Sequence, residues 1–258
     1  VLASADVLAA EDTRTLRHLM EIHGLPLNGR PMVAYHEHND ASARPRLVAA
    51  LHAGKSVAYA SEAGTPLVSD PGYQLVADAR REGLTILSAP GPAACIAALT
   101  VAGLPTDQFH FAGFLAPQQV ARQKQLAELM ALRATIVLYE SPKRLAALLA
   151  DIETTGGAAR PVAVCRELTK KFEDVQSGPV ESLRAFYAET PARGEIVVLI
   201  GAGEEAKVDK SDLEAALVHA MLNLRVKDAA DAVAGAYGLP RRDIYQLALK
   251  LQAVQTEE

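Results

Sequence analysis

Short β-branched runs alternate with stretches of helical spacing over roughly the first 115 residues. Asp6–Ala10, Met32–His36, Ser56–Ala60 and Leu84–Ser88 read as strands. Thr13–His23, about Ala41–Ala53, the segment after Asp70-Pro71-Gly72 as far as Glu82, and Ala93–Val101 read as helices. Such alternation predicts βαβ units on a parallel sheet. Ligands of these sheets bind outside the carboxyl ends of the strands, so the loops that leave strands are the ones to inspect.

From about residue 114 the rhythm changes. A helix over Gln118–Leu132, a strand over Thr135–Tyr139 and a helix over Pro142–Thr154 are expected first. Strand-like runs follow at Pro161–Arg166, Phe172–Gln176 and Glu195–Ile200, with a single helix among them. That predicts a second α/β domain on a mixed sheet. Residues 203–210 read as a polar linker, and everything beyond is helical in pattern: Ser211–Asn223, Lys227–Tyr237, a turn at Gly238-Leu239-Pro240, then Arg241–Leu251. Helix, short glycine turn, helix is the signature of a helix-turn-helix. The expected divisions are residues 1–114, 115–203 and 204–258.

Composition narrows the class. The longest nearly apolar run, Ala93–Leu104, is far shorter than the ~20 residues a membrane span needs. Cys95 and Cys165 stand alone in apolar surroundings, which excludes a disulfide scaffold or a cysteine-rich metal site and suits a reducing cytoplasm. A formal net charge of −5 over 258 residues argues against a uniformly basic coat but leaves room for a local basic patch. The chain opens on Val1 in what reads as mid-element sequence, so a preceding segment is expected.

Three patterns are decoys. Gly201-Ala202-Gly203-Glu204-Glu205-Ala206 matches a dinucleotide fingerprint, but an acidic stretch follows where a helix must open on the pyrophosphate. Gly54-Lys55-Ser56 lies between a helix and a strand, the reverse of a phosphate loop. His36 and His38 fall on opposite faces of a strand end with no third ligand, so no metal is expected.

The chemistry-bearing residues gather at strand ends. Ser61–Gly72 follows the third strand. Gly64 lets backbone approach a ligand closely, Thr65 offers a hydroxyl, Pro66 stiffens the loop, and Asp70 reads as an N-cap ahead of Pro71. A second small-residue loop, Ala89-Pro90-Gly91-Pro92-Ala93-Ala94, follows the fourth strand. Neither loop holds Lys or Arg, which points to an uncharged or zwitterionic ligand. Glu11-Asp12-Thr13-Arg14 and His36-Glu37-His38-Asn39 end the first two strands. Tyr139-Glu140-Ser141-Pro142-Lys143-Arg144 and the Cys165–Lys171 stretch end later ones, and their basic residues suit an anionic substrate. In the tail, Arg241, Arg242, Tyr245 and Lys250 suit a nucleic-acid backbone. Five basic and three acidic residues between Arg225 and Leu251 make that stretch locally positive. A helical cap packed on a dimer is the plainer alternative.

Six ordered motifs now carry a resemblance: Glu11–Arg14, His36-x-His38-Asn39, Ala63–Pro66 with Asp70–Gly72, Pro90–Pro92, Tyr139–Ser141 with Arg144, and Arg166–Lys170. Over nearly its whole length the chain resembles the ribosomal-RNA ribose-methylating branch of the tetrapyrrole methylase family. The resemblance implies two α/β domains with an active-site cleft between them, a helix-turn-helix-like tail, a homodimer, and S-adenosylmethionine as cofactor. The implied activity is 2′-O-methylation of a cytidine ribose in the RNA of the small ribosomal subunit. Carried over, Glu62, Ala63, Gly64, Thr65, Pro66, Val68, Pro90, Gly91, Ala93, Ala94, Tyr139 and Glu140 would line the cofactor pocket. Arg166, Glu167, Gly194 and Glu195 would close it. Arg14, Asn39, Lys143, Arg144 and the four tail residues would meet RNA. Glu62 stands where the family usually has Asp, and the family's opening strand with its Thr-Pro-x-Gly-Asn loop is missing here. Glu11, His36 and Lys170 remain open candidates for the base; a lysine base needs a depressed pKa. A methylase of a tetrapyrrole precursor and a ligand-sensing DNA-binding regulator are the rival readings.

Overall fold

The computed structural model describes residues 1–203, 210–237 and 239–256. Most of the expected linker and Gly238 of the expected turn lie outside the described residues.

Three parallel strands form the first sheet: β1 (Val7–Ala10), β2 (Met32–Ala34) and β3 (Val57–Ala60), in the order β2-β1-β3. They are followed in turn by α1 (Thr13–Ile22), α2 (Asp40–His52) and α3 (Tyr73–Arg81). Each helix returns the chain to the same edge, so neighbouring strands run parallel. Side chains of β1 alternate between faces. Leu8 and Ala10 pack with Leu16 and Met20 of α1, whereas Val7 and Ala9 pack with Ala43 and Leu47 of α2 and Leu75 of α3.

The strand expected at Leu84–Ser88 does not form. Leu84 and Ile86 keep the half-buried alternation, but Leu87 is 89% exposed and no strand pairs with the segment. Alternation records which side chains face inward; a strand also needs a hydrogen-bonded neighbour.

A mixed five-stranded sheet follows: β4 (Phe109–Gly113), β5 (Thr135–Glu140), β6 (Pro161–Arg166), β7 (Asp174–Pro179) and β8 (Ile196–Ile200). Its order is β4-β5-β8-β6-β7, parallel between β4 and β5 and antiparallel elsewhere. The sequence pattern does not foretell β4, and β7 begins two residues later than the run expected at Phe172. One face is covered by α5 (Gln119–Met130), α6 (Pro142–Gly156) and α7 (Val180–Glu189), through Leu126, Leu148, Ile152 and Leu183. Between α5 and α6 lies a buried ion pair. Arg122 Nε donates to Asp151 Oδ2 at 2.6 Å, and the amides of Gln119 and Gln123 complete the carboxylate's shell at 3.1 and 2.8 Å.

The other face is covered by α4 (Ala94–Val101). Cys95, Ala98 and Leu99 of this helix bury against Val137 of β5, Ala163 and Cys165 of β6, and Val197 and Leu199 of β8. Both α4 and β4 precede the expected division at residues 114/115, yet both belong with the second sheet.

The chain divides into two compact units, Val1–Ala202 and Gly203–Glu258. In the second, α8 (Lys210–Met221), α9 (Val226–Tyr237) and α10 (Arg241–Thr256) enclose their own core of Leu217, Ala230, Val233, Ile244 and Ala248. Among the described residues, no helix is long and apolar enough to cross a membrane.

Candidate active site

At the carboxyl edge of the first sheet, Glu11 follows β1, His36 follows β2 and the 61–72 loop follows β3. Three carboxylates meet there. Burial raises the Glu11 pKa, and the charges of Asp70 and Glu62 raise it further while His36 pulls it down. Asp70 is likewise raised, by burial and then by Glu62. Tyr59, beneath them, is pushed up to about 12 by burial and by Glu11 and Asp70. His36 Nδ1 is buried with no hydrogen-bond partner among the described residues.

Asp70 does not cap a helix, as its sequence suggests. Helix α3 starts three residues later, at Tyr73, and its N-cap is Gly72 with φ of 124°. A Cβ at Gly72 would lie 2.8 Å from the Tyr59 ring, so the chain turns there on a glycine and leaves the Asp70 carboxylate free for the cluster. This is the residue that sequence reasoning assigned to the wrong task.

The two small-residue loops are bound to each other. Thr65 Oγ1 donates to Pro92 O at 2.9 Å, and a Cβ on Gly64 would come within 3.3 Å of the same carbonyl. The 61–72 loop also reaches the second sheet. Val68 packs with Ala93, Tyr139 and Leu168 on the α4 face, and a Cβ on Gly113 would meet Ser69 Oγ at 3.1 Å. Tyr139 closes this junction. Its hydroxyl accepts from Cys95 N at 3.3 Å, its ring meets Phe111 edge-on at 4.9 Å, and burial pushes its pKa up to about 12.

The later strand ends complete the edge. Gly194 and Glu195 precede β8 and reach it because β8 runs antiparallel to β5 and β6. Glu167 Oε1 accepts from Glu195 N at 2.8 Å and from Lys170 Nζ at 3.0 Å, and a Cβ on Gly194 would collide with that carboxylate. Lys170 also pairs with Glu195 at 3.0 Å. Hydrogen bonds to Glu167 and Glu195 raise the Lys170 pKa, opposite to what a lysine base requires. Five non-glycine residues among the described ones have positive φ; Leu67, Ser69, Glu167 and Thr169 lie in these loops. Such backbone costs about 1–3 kcal/mol per residue and concentrates where geometry serves function.

Other expected site residues are engaged elsewhere. Glu140 is buried, accepting from Ser141 N at 2.7 Å and pairing with Arg144 at 3.2 Å. Arg144 also donates to Leu115 O at 2.8 Å, which braces the chain internally. Asn39 is spent on its own loop, accepting from His36 N and donating to Ala34 O, each at 2.9 Å. Arg14 is exposed but ion-paired with Asp12, which caps α1. Lys143 is exposed. On α10, Arg241 pairs with Asp231, while Arg242, Tyr245 and Lys250 are exposed. A cavity of about 480 Å³ bordered by Asp107–His110 and Leu132–Ala134 lies at the opposite edge, where β4 and β5 begin.

In this α/β unit the loop after β3 is linked to the small-residue loop that leads into α4. Residues 1–184 match the tetrapyrrole (corrin/porphyrin) methylase family, to which the chain belongs. Residues 207–252 match the RsmI C-terminal HTH domain. Within the family the chain is similar to proteins named ribosomal RNA small subunit methyltransferase I. It is 42% identical to that of Mesorhizobium japonicum over 99% of this chain and 86% of the relative. It is 41% identical to that of Mycobacterium tuberculosis over 96% and 87%, and 39% identical to that of Escherichia coli O157:H7 over 98% and 88%. Among solved structures, diphthine synthase shares the fold at TM-score 0.56 and 15% identity, over 78% of this chain and 81% of its own. Cobalt precorrin-4 methyltransferase does so at 0.54 and 19%, over 78% and 85%.

Proposed function

We propose that the chain transfers a methyl group from S-adenosylmethionine to the ribose 2′-hydroxyl of a cytidine in small-subunit ribosomal RNA. The observation that carries this reading is the likeness, across both units of the chain, to the ribosomal RNA methyltransferases.

The residues present fit the donor. Neither linked loop carries a basic side chain, and Val68, Ala93 and Tyr139 offer a half-buried apolar wall. Asp70 and Glu62 disfavour the charge on Glu11, and Glu62 disfavours that on Asp70, a tension that a cationic ligand relieves. When bound, S-adenosylmethionine supplies an electrophilic methyl on a positively charged sulfur. The reaction joins that methyl to the ribose oxygen as the sulfur–methyl bond breaks, and it requires in-line alignment and acceptance of the hydroxyl proton. Glu11 is the candidate whose setting suits that acceptance, because burial and neighbouring carboxylates make it more basic than a free glutamate. His36 stands beside it. Lys170, held as a cation, orders the 166–173 loop instead.

The resemblance also implies a homodimer acting in the cytoplasm, and the reading includes both; analytical sedimentation checks the dimer. The activity is tested with tritiated donor offered small ribosomal subunits, naked ribosomal RNA, porphyrinogens and DNA in parallel. Label recovered as 2′-O-methylcytidine in ribosomal RNA is expected. Label in porphyrinogens, or in none of the four, would overturn the assignment.

A further inference from the structure

The turn between β6 and β7 is built more firmly than a connection needs. Glu167 and Thr169 both take left-handed backbone, with φ of 51° and 65°. Lys170 N donates to Glu167 O at 3.0 Å, Glu173 N to Lys170 O at 3.1 Å, and Thr169 N to a Glu173 carboxylate oxygen at 2.5 Å. Below the turn, Leu168 is anchored in the core shared with Val68, Ala93 and Tyr139. At its tip stands Phe172, 63% exposed, with Lys171 Nζ 5.5 Å from the ring centre. Among the described residues, no other exposed ring has a cation over it.

A single exposed apolar side chain is ordinary. An aromatic ring with a lysine over it, carried on a strained and cross-braced turn beside the candidate cleft, is a preorganised stacking surface. Rings so placed bind unpaired bases by their π-faces, and an adjacent cation attracts the phosphate that follows. Glu167 and Glu195 neutralise Lys170, which leaves Lys171 as the cation at the tip.

We propose that Phe172 and Lys171 form the platform on which an unpaired base of the substrate RNA stacks as its ribose enters the cleft. The proposal rests on the RNA-methylating reading above and assigns a substrate-positioning role that the cofactor pocket does not supply.

The test uses the full chain with Phe172→Ala, Phe172→Trp and Lys171→Ala. In methyl transfer to ribosomal RNA, F172A is expected to raise KM for RNA roughly tenfold, a typical consequence of losing one stacked base. Cofactor affinity and melting temperature should stay unchanged, and F172W should restore KM. K171A should weaken RNA binding and flatten its dependence on salt. A second readout needs no turnover: an oligoribonucleotide carrying 2-aminopurine should be quenched on binding to the parent chain but not to F172A. If the parent methylates RNA and F172A has the same KM, the platform is wrong while the function stands. If the parent labels no RNA, the function fails, and the quenching still decides the platform. Equal quenching by F172A, no quenching by the parent, or failure of F172W to rescue would each overturn it.

Discussion

In the proposed reaction, the reactivity of this site depends on where three carboxylates stand. Glu11 is desolvated and faces Asp70 and Glu62, so it holds its proton to a higher pH than a free glutamate does. The sign is direct: catalysis that needs the carboxylate is lost as pH falls through the raised value. The acid limb of the pH profile of kcat/KM should therefore lie above the ordinary glutamate range. Replacing Asp70 with Asn removes the largest neighbouring charge and should move that limb to lower pH; an unmoved limb would remove Asp70 from this role. Replacing Glu11 with Gln should reduce kcat by about 10²–10⁴-fold while leaving cofactor affinity, measured by equilibrium dialysis, near that of the parent. Full turnover in that variant would shift attention to His36. The cluster was half legible in the sequence. Glu11 and His36 announce themselves as polar residues at strand ends, but Asp70-Pro71-Gly72 imitates a capped helix start. Only the structure, in which Gly72 with its positive φ is the N-cap of α3, shows that the aspartate is released from that duty. Arg144 and Asn39 hold internal bonds that the sequence does not foretell. Asn39 bonds the backbone of its own loop, and one Arg144 nitrogen bonds Leu115 O and Glu140.

At the scale of elements, the buried central strand was readable and the exposed edge strand β4 was not. Ile196–Ile200 is buried at every position and sits at the centre of its sheet. Phe109–Gly113 is an edge strand with exposed residues and a glycine, so its pattern carries little signal. The coupling of α5 to α6 was also invisible, because Arg122 and Asp151 are 29 residues apart in sequence. Their pair is almost completely buried, and breaking it leaves an uncompensated charge in the core. Arg122→Ala or Asp151→Ala should each lower stability by about 3–5 kcal/mol in chemical denaturation, whereas replacing both with apolar residues of similar volume should cost far less. Equal losses in the single and double variants would show that packing, not charge, dominates at this site.

The whole molecule divides into two compact units. The first holds the strand-end loops, and the second is a self-contained helical module with Arg242 and Lys250 exposed on α10. If α10 meets phosphates, replacing both residues with Ala should weaken binding to ribosomal RNA across sequences. The slope of log affinity against log salt should fall by about 1 for each phosphate that no longer meets a cation. Unchanged affinity and slope, measured by filter binding, would leave this module a structural cap. The seating of α4 has a bearing on the chain's birth as well as on its chemistry. That helix carries the 89–94 loop into a core whose last members, Val197 and Leu199, come about a hundred residues after Cys95. A nascent chain halted near residue 115 would already contain Glu11, Asp70 and both small-residue loops, yet have no surface on which to hold them together. Pairings so distant in sequence form late. The core that seats α4 is therefore complete only once β8 is present.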